Sequence, residues 1–121
     1  MRYNIILSDD GTYLRVQALE TITGKLAREF AKKAIEEAKK QNIKRFLVDV
    51  QGIKNVSGTE EKYDFGYEDM DLFGLDKLSK IAILASSGDQ SHNFIATSLS
   101  NAGYRCSLFA DEALAMKWLL E

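Results

Sequence analysis

The 121-residue chain has no proline, one cysteine (Cys106), one histidine (His92) and one tryptophan (Trp118). Without proline, turns and helix ends fall to Gly, Asn, Asp and Ser. A single cysteine forms no internal disulfide, which fits a reducing compartment. One histidine and one cysteine fall short of the three or four ligands of a zinc centre, and no HxxxH, CxxC or HExxH spacing occurs, so no metal and no cofactor are expected. Gly88 and Gly103 stand alone, which leaves no phosphate-cradling glycine loop. Asp64-Phe65-Gly66 spells the metal-binding tripeptide of kinases, but without a glycine-rich loop or an HRD motif it is a chance match. No apolar run approaches the ~18–20 residues that span a bilayer. The segment MRYNIILSDDG lacks the apolar core and cleavage site of a secretory signal. A cytoplasmic protein without a transmembrane segment is the expectation. The net charge of −2 supplies no basic field, and the basic helix described below has no interleaved aromatics to stack on bases, so nucleic acid is not an expected partner.

What is present has the composition of a soluble globular domain, 45% hydrophobic and 28% charged. The length fits one domain over residues 1–121. Tyr3–Ser8 and Thr12–Gln17 are rich in β-branched and aromatic residues, and Asp9-Asp10-Gly11 between them predicts a hairpin. Leu14, Val16 and Ala18 alternate with Tyr13, Arg15 and Gln17, so one face is apolar. From Gly24 to Asn42 the period becomes helical. Thr21 or Thr23 is the expected cap, Leu26, Ala27, Phe30, Ala34, Ile35 and Ala38 form the apolar stripe, and Asn42 is the left-handed stop. Arg45–Val50 reads as a strand buried on both faces. Ser57-Gly58-Thr59-Glu60 has capping-box spacing and opens an irregular helical segment over Glu60–Leu78, weakened at Gly66 and ended by Gly74. A strand at Ile81–Ser86 follows. Next comes a helix capped by Asp89 or Ser87 that carries His92, Phe94, Ile95 and Leu99 and exits at Asn101-Ala-Gly103. A strand at Arg105–Ala110 follows, and Asp111 caps a last helix with Leu114, Trp118 and Leu119 on its apolar side. The order β-β-α-β-α-β-α-β-α implies an α/β domain with a mixed, mostly parallel sheet of about five strands and helices packed on it.

Two passages resemble the SpoIIAA-like family, a branch of the STAS domains related in fold to CRAL-TRIO lipid-binding domains. One is Phe46–Gly58, FLVDVQGIKNVSG, an apolar strand ending Asp-apolar-x-Gly-apolar. The other is Ile81–Leu119, with its small-residue turn, Asp89, the helix start Ser91-His92-Asn93-Phe94, Asn101-Ala-Gly103 and a closing Asp-Glu-Ala…Trp-Leu. With the element order between them, the resemblance spans essentially the whole chain. It implies a non-enzymatic module, regulatory through protein–protein contact. Anti-sigma-factor antagonists of this fold carry an Asp-Ser-Ser-Gly type motif whose serine is phosphorylated. Counted from Asp49, the motif's Asp falls on Ser57 and the phosphoacceptor on Gly58, so the phosphoswitch is not expected here. Ser57 and Thr59 are the neighbouring hydroxyls, out of register.

No catalytic set is evident. His92 is read as a first-turn helix residue bonding locally to Asp89, and Cys106 as a small buried hydrophobe inside a strand. Ser57 and Thr59 read as caps, with an exposed hydroxyl at a positive helix end as the functional alternative. Glu60–Asp76 holds seven acids and one base, whereas Lys25–Arg45 holds eight bases and three acids. Such an asymmetry gives either two solvated faces or complementary association surfaces. Tyr63, Tyr67 and Met70 form one helical stripe, and Phe65, Leu72 and Phe73 form another. That is more apolar surface than one core contact needs, so the segment is expected to pack on the core, to pair with a partner or second copy, or to roof an apolar pocket. The candidate binding residues are therefore Ser57, Thr59, Tyr63, Tyr67, Met70, Phe73, Asp89 and His92. The candidate occupants are a protein partner, a second copy, or a small apolar, lipid-like ligand under Tyr63–Phe73.

Overall fold

A computed structural model describes residues 2–121. Strands β1 (Tyr3–Leu7) and β2 (Leu14–Ala18) form the hairpin, turned by Gly11 at φ +72°. Helix α1 (Gly24–Gln41) leads to β3 (Arg45–Asp49). A helical run follows in three pieces: α2 (Thr59–Asp64), a π-helical turn (Phe65–Asp69) and α3 (Met70–Leu72). Then come β4 (Lys80–Leu84), α4 (Asn93–Asn101), β5 (Arg105–Phe109) and α5 (Glu112–Leu120). The sheet order is β1-β2-β3-β4-β5, antiparallel at β1–β2 and parallel elsewhere.

This sequential order determines where the helices lie. Right-handed crossovers between successive parallel neighbours deliver each connecting helix to the same face. The larger core accordingly joins Leu14, Val16, Phe46, Ile81 and Ile83 of the sheet to α1, the π turn and α4. Among the described residues, the opposite face carries α5 alone, whose Ala115 and Leu119 close over Leu47, Ala82 and Leu84.

Local chemistry sets the helix ends. The Thr23 side chain accepts the Leu26 N–H at the start of α1, and Asn42 is left-handed (φ 55°) at its end. Asp111 accepts the Ala113 and Leu114 N–H groups at the start of α5. The last carbonyls of α5 receive two cations from the sheet: Lys80 Nζ donates to the Trp118 carbonyl at 2.6 Å and Arg45 Nε to that of Leu119 at 3.0 Å. Cations there complement the helix dipole.

Four local expectations are corrected. Only half of a capping box forms, and one residue later than Ser57–Glu60: Gly58 is the cap residue, with no side chain to accept an amide, and Glu61 Oε1 accepts its N–H at 3.2 Å. Ser57 is unavailable because its hydroxyl and N–H both go to Asn55 Oδ1. Neither Asp89 nor Ser87 caps α4. Asp89 Oδ1 instead accepts the Ser91 N–H at 2.9 Å, which winds a turn and delays the helix to Asn93. In α5 the inward pair is Ala115 and Leu119, four residues apart, while Leu114 is 58% exposed on the other side. Finally, Gly66 is more than a weak point in a helix. A β-carbon there would lie 2.5 Å from Ser98 Cβ and 2.8 Å from the Ser98 carbonyl carbon, so glycine lets the π turn and α4 touch backbone to side chain.

Candidate functional site

The region of interest begins where β3 ends. The loop after Val50 turns at Gly52 (φ +74°) and runs alongside Ile22, donating Val56 N–H to the Ile22 carbonyl and accepting Ile22 N–H at the Lys54 carbonyl. Its other side is fastened to the Ser86–His92 turn that follows β4. Gly52 N–H donates to Ser86 Oγ (2.7 Å), Asn55 N–H to Ser91 Oγ (3.0 Å), and His92 Nε2 to the Ile53 carbonyl (2.8 Å). Short polar side chains at loop positions thus satisfy backbone groups that no strand or helix serves.

Asp89 organises this turn. Its side chain is 5% exposed, and its carboxyl pKa is lowered from 3.8 to about 2, chiefly by the Ser91 N–H. Burial opposes the shift, while the Ser91 hydroxyl, the Lys54 ammonium (3.2 Å) and His92 (3.5 Å) add to it. His92 therefore does contact Asp89, but its nearest partner is the carbonyl of Ile53.

Behind the loop lies an apolar cavity of about 80 Å³. Its floor is the sheet (Val16, Val48, Ile81, Ile83) and one wall is α1 (Ala27, Phe30, Ala31, Ala34). Phe65, Met70 and Leu75 from the irregular helical segment roof it, and Ile95 and Leu99 of α4 close a side. Among the described residues, Asn55 and His92 are its only polar lining residues, both buried. The π turn makes this roof. Phe65 and Met70 are five residues apart, and the wider winding turns both inward.

Of the residues singled out from sequence, Met70 and His92 line the cavity. Tyr63 is 49% exposed and its ring lies 4.4 Å from that of Tyr67, outside the cavity. Phe73 packs partly buried against the core, Thr59 is exposed, Ser57 is tied to Asn55, and Asp89 stands behind His92. Asn55 and Phe65 belong to the site as well. At the ordinary helical period Phe65 fell on a different stripe from Met70, and nothing in the loop sequence distinguished Asn55. The acidic segment and the basic Lys25–Arg45 stretch meet within the molecule, at Arg28–Glu61 (3.8 Å) and Lys44–Asp76 (3.1 Å). The Cys106 thiol is pushed up to about 12 by burial, so it stays protonated at neutral pH. Among the described residues, no group of acid, histidine and cysteine side chains could hold a metal, and no helix is long and apolar enough to cross a membrane.

No family model and no curated protein matches this chain. Among solved structures, it is similar to an uncharacterized protein from the DUF3478 family with a SpoIIAA-like fold from Shewanella loihica PV-4. The TM-score is 0.62 and the identity 18%, over 97% of this chain and 91% of that one. The fold is thus SpoIIAA-like, and at this identity the likeness extends to the fold alone.

Proposed function

We propose that this protein is a non-enzymatic SpoIIAA-like module that binds a small apolar molecule in the cavity beneath Phe65 and Met70. The observation that carries this reading is the cavity itself, an apolar space between the sheet and a helical segment wound irregularly over it. Binding is favoured over catalysis because no charged or nucleophilic side chain lines the space, and its one imidazole is held by the Ile53 carbonyl. The lone cysteine fits a cytoplasmic setting. The test is dissolved xenon followed by NMR of the whole protein. Saturable shifts are expected at the methyl groups of Ile83, Ile95 and Leu99. Shifts confined to the surface would exclude the reading.

A second reading is favoured by exposed apolar side chains near the acidic segment: Val56 (61% exposed), Tyr63 (49%) and Leu72 (80%). They fit contact with a protein partner or a second copy through Gln51–Glu61 and the acidic aromatic helix. Sedimentation equilibrium of wild type and Leu72→Asp tests the self-association branch. A monomer in both at high concentration removes it.

A further inference from the structure

We infer that the outer edge of β1 pairs antiparallel with β1 of a second copy, joining two five-stranded sheets across a two-fold axis. This surface is separate from the cavity and from the acidic aromatic helix. The argument starts from the backbone groups that β1 leaves free. Ser8 N–H donates to the Tyr13 carbonyl and Leu19 N–H to that of Arg2, both at 3.0 Å. Both pairs continue the β1–β2 register, which runs from Tyr3 opposite Ala18 to Leu7 opposite Leu14. Hydrogen-bonded residues alternate along an antiparallel strand, so Arg2, Asn4, Ile6 and Ser8 turn their N–H and carbonyl groups toward β2. Tyr3, Ile5 and Leu7 therefore turn theirs outward, and β1 is the last strand on that side. Among the described residues, no loop or turn backbone takes these groups.

Edge strands are ordinarily guarded against such pairing by charge, proline, a bulge or a covering element. The far edge, β5, is guarded. It begins with Arg105, and the Ser100 hydroxyl of α4 donates to its Cys106 carbonyl at 3.2 Å. By contrast β1, YNIIL, has neither charge nor proline, and its register with β2 runs without a bulge. Its Ile6 and Leu7 side chains are 47% and 40% exposed.

The strand fits a second copy of itself in one register. Only pairing centred on Ile5 uses every outward group. Tyr3 then meets Leu7 of the second copy, Ile5 meets its Ile5 and Leu7 meets its Tyr3, exchanging both backbone bonds at each pair. The side chains agree with this register. Tyr3 and Ile5 lie on the face of the larger core, and there the exposed Leu7 comes to rest beside Tyr3 of the second copy. On the opposite face the exposed Ile6 comes to rest beside Asn4 of the second copy. Charge is complementary at the ends. Arg2 stands opposite Ser8 of the second copy, one residue from its Asp9, and the two-fold axis repeats this at the other end. Arg2 already holds Glu29 of its own chain, and its guanidinium keeps further donors. Pairing consumes the β1 edge of both copies, so the assembly closes as a dimer.

The experiment combines sedimentation equilibrium with amide hydrogen exchange by NMR, on dilute and concentrated full-length protein. A concentration-dependent dimer is expected. The Tyr3, Ile5 and Leu7 amides should exchange more slowly as concentration rises, whereas those of Asn4 and Ile6, already bonded to β2, should not change. Ile6→Lys places a charge at an exposed edge position and should weaken the dimer on the order of tenfold, since the two-fold axis loses each contact twice. Leu72→Asp, on the acidic segment, should leave it unchanged. A monomer at every concentration overturns the proposal. So does a dimer whose Tyr3, Ile5 and Leu7 amides exchange as fast as in the monomer, or one that Leu72→Asp dissolves and Ile6→Lys spares. Species that grow beyond the dimer overturn the closed two-fold arrangement. Outward amides that slow only when a valine–threonine strand peptide is added assign the edge to another protein and overturn the second copy. The exchange pattern is read on the wild type, so it decides even if Ile6→Lys fails to fold.

Discussion

Filling the cavity from the α1 side tests whether it is a binding space. Ala34 is 3% exposed and lines the cavity, so Ala34→Leu sends three more carbons into it from a residue type that helices accept well. A void of about 80 Å³ costs about 2 kcal/mol at roughly 24 cal/mol per Å³. Burying three carbons at about 0.8 kcal/mol each returns about 2.4 kcal/mol, less roughly 0.5–1 kcal/mol for the lost rotamer freedom of leucine. Allowing for imperfect fit, the variant should be more stable by about 1 kcal/mol, a rise of roughly 4 °C in Tm at this length. Urea melts followed by circular dichroism measure the change, and an unaltered denaturant slope keeps the comparison two-state. The same variant should lose its xenon shifts. A destabilised protein that still takes up xenon refutes the placement of the cavity against Ala34. A stabilised protein that binds xenon unchanged shows that the gas resides elsewhere.

Three other outcomes are expected. Helix propensity alone makes Gly66→Ala stabilising by about 1 kcal/mol, but the contact with Ser98 makes it destabilising by about 1–2 kcal/mol, so the sign from urea melts decides between them. Asp89, whose folded pKa lies below its unfolded value of 3.8, contributes stability that is complete above about pH 4 and lost as the pH falls toward 2. Melts of Asp89→Asn over that range should show a shallower loss than wild type, and equal slopes count against the Ser91–Asp89 turn. Cys106, with its thiol near 12, should react with an alkylating reagent at pH 8 about a thousandfold more slowly than a thiol at 9, and rapidly once urea unfolds the chain.

How much of this was legible in the sequence depends on whether a feature is written locally. The hairpin at Asp9–Gly11, a threonine cap at Thr21 or Thr23, the Asn42 stop and the Asp111 cap are each specified by local residues, and the structure has all four, with Thr23 as the cap. The strand–helix alternation gave the mixed sheet for the same reason. The helix cap after β3 and the α4 start were misplaced because adjacent residues offered competing local solutions. Ser57 with Glu60 and Gly58 with Glu61 differ by one residue, and the choice falls to Asn55, which takes the Ser57 hydroxyl through a contact that exists only in the folded loop. The π turn was hidden by its own period. Read at 3.6 residues per turn, Phe65 and Met70 fall on different stripes, and only the five-residue winding brings both inward.

The cavity was illegible for a deeper reason. Periodicity treats Ala27, Ala31 and Ala34 as apolar residues equivalent to leucine, because it records which face is buried and says nothing of how much volume that face supplies. Space appears only when the alanines of α1, the sheet floor of Val16 and Ile83, and the π-turn roof of Phe65 and Met70 are set at their actual separations. Leucine at Ala34 would keep the same pattern and remove much of the void. The folding pattern therefore does not require the void. A chain that keeps it forgoes about 2 kcal/mol of stability. That cost, at residues that different elements bring together, is what the binding reading explains and the pattern of the sequence alone does not.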